Sequence, residues 1–153
     1  MDGGQPQRRI KGILSVGAPP PERGHVAETV PPRVLPELRR APRIGELYWC
    51  RLPKDAELPE MWKTRPVVII SPANTLSGSA TLIPTSTVDQ GNNKWAELLE
   101  TSIDGETSYA ICDQLLTLAV SRLKAPELLT PRLGPEEINR IVTKIHLRLP
   151  QPR

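Results

Sequence analysis

The chain contains no phenylalanine, two cysteines, two histidines and only three tryptophans and two tyrosines among 153 residues. Cys50 and Cys112 lie in the apolar or aromatic runs "LYWC" and "YAIC", without CxxC spacing and without a neighbouring histidine. That pattern excludes a cysteine-based metal site and makes both thiols reduced packing residues. His25 and His146 have no acidic or cysteine partners at triad or ligand spacing, so neither a metal nor another cofactor is expected. No apolar run approaches the ~18 residues that cross a bilayer, and no apolar core followed by a small-residue cleavage site opens the chain. A soluble, cytoplasmic protein with no membrane partner is the expectation. No repeat of twenty to fifty residues is present, and the length suits one compact domain.

The formal net charge is +3, but its placement is uneven. Residues 1–43 carry eight basic and four acidic side chains, a balance of +4, whereas residues 44–153 carry twelve and thirteen, a balance of −1. A nucleic-acid site on the body must therefore be a local groove, because no broad basic face exists to attract a polyanion. Residues 1–43 also hold eight of the 18 prolines, as in "APPPERG" and "TVPPRVLPELRRAPR", with no sustained periodicity. Such a stretch buries too little apolar area to offset its ordering entropy, and a disordered or polyproline-like arm is expected there.

The body, residues 44–150, is patterned differently. "IGELYWCRL", "PVVII", "SATLIPTST", "WAELLE", "SYAIC" and "LLTLAVS" are short β-favouring runs separated by polar, proline-bearing or glycine-bearing turns. In "PVVII" the proline is acceptable as a first strand residue, where no ladder donor is required. Only the last segment, "GPEEINRIVTKIHLRL", has helical period: Pro135 suits the first turn, two glutamates follow, and Ile138, Ile141, Val142, Ile145 and Leu149 share a face. The expected fold is mainly β, a small barrel with a C-terminal amphipathic helix packed against it.

The runs "GELYWC", "KTRPVVIISP", "TLIPTST" and "ICDQLLTLAVSRL", in this order and closed by a helix, resemble the MazF/PemK (CcdB-like) family of type II toxins over Ile44 to Leu149. The resemblance implies an SH3-like barrel, a homodimer, an antitoxin partner, and metal-independent cleavage of single-stranded mRNA to 2′,3′-cyclic phosphate and 5′-hydroxyl ends. Pro66 holds Arg65 in an extended conformation at the strand mouth, and a permanently charged fork suits a transferring phosphate. Glu60, five positions earlier, matches the family's loop acid and is the candidate base for the 2′-hydroxyl. In "PTST", Ser86 falls where relatives usually carry threonine, and Thr87 stands in reserve. Strand alternation predicts that Ser86 faces away from Thr85 and Thr87, so that only one set lines a groove.

Trp62, Lys63, Lys94 and Trp95 pair aromatic planes with cations in two loops, a pattern suited to stacked bases and phosphates. Asp113 in "CDQ" matches an aspartate of related toxins and is a further RNA-contact candidate. Ile111 and Pro59 occupy the positions of an arginine and a histidine found in some relatives, which excludes that catalytic variant. Three other readings keep a similar fold: a non-cleaving barrel that binds RNA or a partner protein, a CcdB-like gyrase poison, and an SH3-like peptide-binding module built on the tryptophans.

Overall fold

The structure is a computed structural model that describes Gly17, residues 29–72 and residues 75–153. The arm expected over residues 1–43 therefore lies largely outside the described residues, as do positions 73 and 74 of the turn after the second strand. Residues 33–153 form one compact unit. Its elements are β1 (Leu47–Arg51), β2 (Thr64–Ile69), β3 (Ser79–Ser86), β4 (Ala96–Leu98), β5 (Tyr109–Ile111), β6 (Leu116–Ala119), a 3-10 turn (Val120–Arg122), β7 (Leu123–Lys124) and helix α1 (Pro135–Arg148). No helix is long and apolar enough to cross a membrane among the described residues.

All strand pairs are antiparallel, in the order β4-β5-β3-β2-β1-β7, with β6 also paired to β3. β3 is the hub. One edge carries β2, while the other is divided between β6 along Ser79–Leu82 and β5 at Thr85 and Ser86. The expected closed barrel is not what forms, because among the described residues no ladder joins β6 to β7. These strands are consecutive, and the 3-10 turn Val120–Arg122 carries the chain from one sheet edge to the other without pairing them.

The continuous apolar run of β2 is explained by burial on both sheet faces. Val67 and Ile69 join Tyr48, Cys50, Leu82, Val120 and Leu123 in one core. Val68 points the other way, into a second core with Leu47, Ile83, Ala110, Ile141 and Ile145, where α1 packs. A sheet buried on both faces needs no polar alternation, so the run reads as uniformly apolar. On α1, Ile141 and Ile145 are buried and Ile138 packs beside them, but Leu149 lies past the helix end and is exposed. Cys50 and Cys112 are free and buried, and burial pushes their thiols up to about 11 and about 12.

Two details differ from the sequence reading. β2 begins at Thr64, so Pro66 is its third residue. A strand residue directs its N–H and C=O to the same side, and the Pro66 carbonyl accepts a bond from Thr85 Oγ1 of β3. The missing donor thus faces β3 before backbone pairing to that strand begins at Val67, and no ladder bond is lost. The packed body also begins earlier than Ile44: Leu38 belongs to the first core and Pro42 is fully buried. Arg40 grips the buried Glu46 carboxylate with two bonds of 2.5 and 3.1 Å, while the Arg43 N–H and the Tyr48 hydroxyl donate to it at 2.8 and 2.7 Å. The end of the proline-rich stretch is therefore fastened to the body by one carboxylate and two apolar contacts rather than by periodic structure.

Candidate active site

Arg65 is set by its backbone. Lys63, just before β2, has φ of +73°, an uncommon conformation for a residue with a side chain. The turn brings the Trp62 carbonyl to 2.6 Å from Arg65 Nε, and Arg65 Nη1 donates to the Thr85 carbonyl at 3.1 Å. Two of the five guanidinium N–H donors are thus spent on main-chain carbonyls, leaving three for a ligand. Among the described residues Arg65 has no carboxylate partner, and partial burial pulls its pKa below the ordinary arginine value.

The guanidinium lines a cavity of 340 Å³ shared with Lys63, Thr64, Thr85, Ser86 and Thr87, and walled on the far side by Ser102, Ile103, Asp104 and Ser108 of the β4–β5 connection. Thr85, Ser86 and Thr87 all reach it, which corrects the expectation that alternation would admit only one set. β3 ends at Ser86, so the strict two-residue alternation stops within the triplet. The three hydroxyls are not equivalent. Thr85 is buried with Oγ1 donating to the Pro66 carbonyl, Ser86 Oγ accepts the Val88 N–H at 3.2 Å, and Thr87 is exposed. Among the described residues Ser86 keeps its own proton to donate, and Thr87 has both functions free.

Glu60 does not line this cavity. Its carboxylate accepts the Glu57 N–H at 2.9 Å and faces a separate depression of 430 Å³ that also receives Asp55, Glu57 and Asp113. Glu60 and Asp113 are therefore brought together, but apart from Arg65. Trp62 lies under Lys63 Nζ, 4.1 Å from its ring centroid; Lys63 lines the Arg65 cavity and Trp62 does not. Lys94 and Trp95 belong elsewhere: the Trp95 ring is flanked by Lys94 Nζ at 4.9 Å and by Arg148 of α1 at 5.3 Å, at the C-terminal end of the helix. The sequence reading passed over Asp104, the carboxylate that does line the Arg65 cavity, and weighed Trp49 only within a peptide-binding groove; its alternation with Leu47 and Arg51 along β1 was the signal available. Among the described residues no cluster of His, Cys, Asp and Glu is arranged to hold a metal.

An antiparallel sheet backed by one C-terminal helix, with an arginine fixed at the mouth of a hydroxyl-lined cavity, defines a small, mainly β domain with a site suited to an anion. The match to a family model over residues 43–149 makes the assignment specific: the chain belongs to the PemK-like, MazF-like toxin family of type II toxin-antitoxin systems. Among solved structures it is similar to MazF from Deinococcus radiodurans, with 18% identity, a TM-score of 0.60, and coverage of 71% of this chain and 96% of that one. It is also similar to an endoribonuclease in complex with its cognate antitoxin from a mycobacterial species, with 23% identity, a TM-score of 0.53, and coverage of 73% and 100%. A MazE–MazF complex from Deinococcus radiodurans matches with 17% identity, a TM-score of 0.54, and coverage of 71% and 94%. No curated protein sequence matches the chain.

Proposed function

We propose that the protein is the toxin of a toxin-antitoxin pair and cleaves single-stranded RNA without a metal ion. The observation that carries this reading is the Arg65 guanidinium, held by two main-chain carbonyls with three donors left over, in the lining of a cavity that also offers the Ser86 and Thr87 hydroxyls. A scissile phosphate fits this donor set, and charge that builds on the phosphorane meets a cation already in position.

In the reaction the ribose 2′-oxygen attacks phosphorus, its proton passes to a base, the bond from phosphorus to the 5′-oxygen breaks, and the departing 5′-oxygen takes up a proton from water. The products are a 2′,3′-cyclic phosphate and a 5′-hydroxyl. Arg65 stabilises the transition state, and Ser86 or Thr87 orients the phosphate. Glu60 is the base, which requires the β1–β2 loop to turn its carboxylate inward when RNA binds; catalytic contacts are commonly loose in a free enzyme. Asp104 is the second reading for the base, favoured by its position in the wall of the Arg65 cavity.

Lys63 in the cavity lining and its neighbour Trp62 serve RNA directly. A second copy of the chain and an antitoxin are the proposed protein partners, in keeping with the antitoxin complexes among similar structures. Incubation of the purified protein with a long single-stranded RNA, with and without EDTA, tests the proposal. Cleavage that persists in chelator and leaves cyclic phosphate ends supports it; binding without cleavage leaves a non-cleaving RNA-binding relative in its place.

A further inference from the structure

A second cavity, of 670 Å³, lies along β1 and β7 and shares Trp49 and Thr64 with the Arg65 cavity. The register makes the two continuous. Trp49 stands opposite Pro66 on one side and Lys124 on the other, and Arg51 stands opposite Thr64. With strands 4.7–4.9 Å apart, the row from Lys124 through Trp49 to Pro66 spans about 10 Å, room for one to two nucleotides of an extended strand.

Arg51, Arg122 and Lys124 line this second cavity, and among the described residues none has a carboxylate partner. The two arginines are instead steadied by main-chain carbonyls: Arg51 Nη2 donates to Ser121 at 3.3 Å, and Arg122 Nη1 donates to Arg51 at 3.1 Å. Glu37 and Glu127 also border the cavity, so three cations face two carboxylates there. The depression around Glu60 is the opposite case, with Asp55, Glu57, Glu60 and Asp113 and no cation. A polyanion leaving Arg65 is repelled from that side and attracted toward β7. A half-buried indole between fixed cations is the arrangement on which single-stranded nucleic acid stacks a base and seats its phosphates.

We infer that the second cavity is a further nucleotide subsite, so that a single RNA strand runs from Arg65 across Trp49 to Arg51, Arg122 and Lys124. The inference rests on the RNA reading above and adds the direction of the strand. Its test uses the full chain and mixed-sequence 2′-O-methyl RNA of four and ten nucleotides, which lacks the attacking hydroxyl. Binding is read by fluorescence anisotropy at two salt concentrations.

The wild-type protein gains about tenfold or more in affinity on lengthening the RNA. The double variant Arg51→Glu, Lys124→Glu, both at exposed positions, loses most of that gain and has a shallower salt dependence. Lys54→Glu, a single charge reversal outside the track, keeps the gain. An undiminished gain in the double variant overturns the inference. So does conversion of a wild-type dimer to a monomer by the double variant, which marks the patch as a subunit interface, or competition for it by decaglutamate with the RNA gain unaffected. If the wild type binds neither length, the RNA reading itself has failed, a result distinct from all of these.

Discussion

Arg65 Nη1 donates to the carbonyl of Thr85 across the β2–β3 pair, 3.1 Å away, so the guanidinium is positioned by the same strand whose end supplies the hydroxyls. Arg65→Ala removes this cation without cutting into either apolar core and is expected to lower the RNA cleavage rate by about 100-fold or more, with the circular dichroism spectrum retained. Arg65→Lys restores only part of the rate, because an ammonium cannot hold two carbonyls and a phosphate in one plane. Ser86→Ala costs less than either, since a neutral donor to phosphate is weaker than a charged one. Near-normal cleavage by Arg65→Ala removes the central residue of the mechanism.

The base is tested by a pair of neutral substitutions. Glu60→Gln keeps the loop bond to the Glu57 N–H through its amide oxygen but abolishes proton affinity, and a loss of about 100-fold is expected. Asp104→Asn is expected to cost less than about tenfold. The reverse ordering, measured in single-turnover cleavage, transfers the role to Asp104. Equal, small losses in both exclude a carboxylate base.

The Glu46 clasp is expected to appear in stability. Burial alone would raise the Glu46 pKa, but bonds from Arg40, Tyr48 and the Arg43 N–H outweigh it and hold the carboxyl below its ordinary value. A carboxylate depressed in the folded state contributes stability that is present above its unfolded value of about 4.3 and lost as pH falls through the folded one. Thermal unfolding midpoints therefore decline below about pH 4, and Glu46→Gln reduces the decline without abolishing it, because Glu97 and Glu137 are depressed too. Two truncations, of residues 1–32 and of residues 1–43, isolate the clasp. The longer deletion costs at least about 2 kcal/mol more than the shorter one, the burial of Leu38 alone. Equal stability of the two truncations, read by urea denaturation, refutes the clasp.

Trp95 and Trp62 are expected to separate. The Trp95 ring is flanked by Lys94 and by Arg148 at the end of α1, whereas Trp62 belongs to the Arg65 turn. Trp62→Ala should weaken RNA binding several-fold, by the loss of one stacking plane. Trp95→Ala should change it by less than about twofold. Strong weakening by Trp95→Ala would extend the RNA path to the helix end.

Strand positions were legible because hydrophobic runs and turn residues alternate cleanly through the body, and the helix was legible from Ile138, Ile141 and Ile145. Two-residue β7 was not, since "LK" carries no periodic signal and pairs only because the 3-10 turn delivers it to the β1 edge. The Arg65 cavity was partly legible: the arginine and the serine–threonine triplet stand out locally in sequence. Asp104 and Trp49 did not, because their relevance comes from a loop and a strand brought to the same mouth by pairing of residues far apart in the chain. The separation of Glu60 from Arg65 is likewise a matter of loop direction, which a spacing of five residues leaves open. The clasp at Glu46 was missed for a different reason: it orders a proline-rich segment through side-chain bonds to a single buried acid, a device without period.

The β4–β5 connection has one more tie. The Glu137 carboxylate, in the first turn of α1, accepts the Glu100 N–H at 2.8 Å, the Thr101 N–H at 3.2 Å and the Thr101 hydroxyl at 2.9 Å, as well as the Gly134 N–H at 3.1 Å. The next residues, Ser102, Ile103 and Asp104, are the far wall of the Arg65 cavity. Helix start and cavity wall therefore open as a unit, and their amides should exchange hydrogen for deuterium with a shared opening free energy. A ligand that slows exchange at the wall must slow it at Glu100 and Thr101 too, and by reciprocity a protein that grips the start of α1 must alter the affinity of the cavity for whatever it holds.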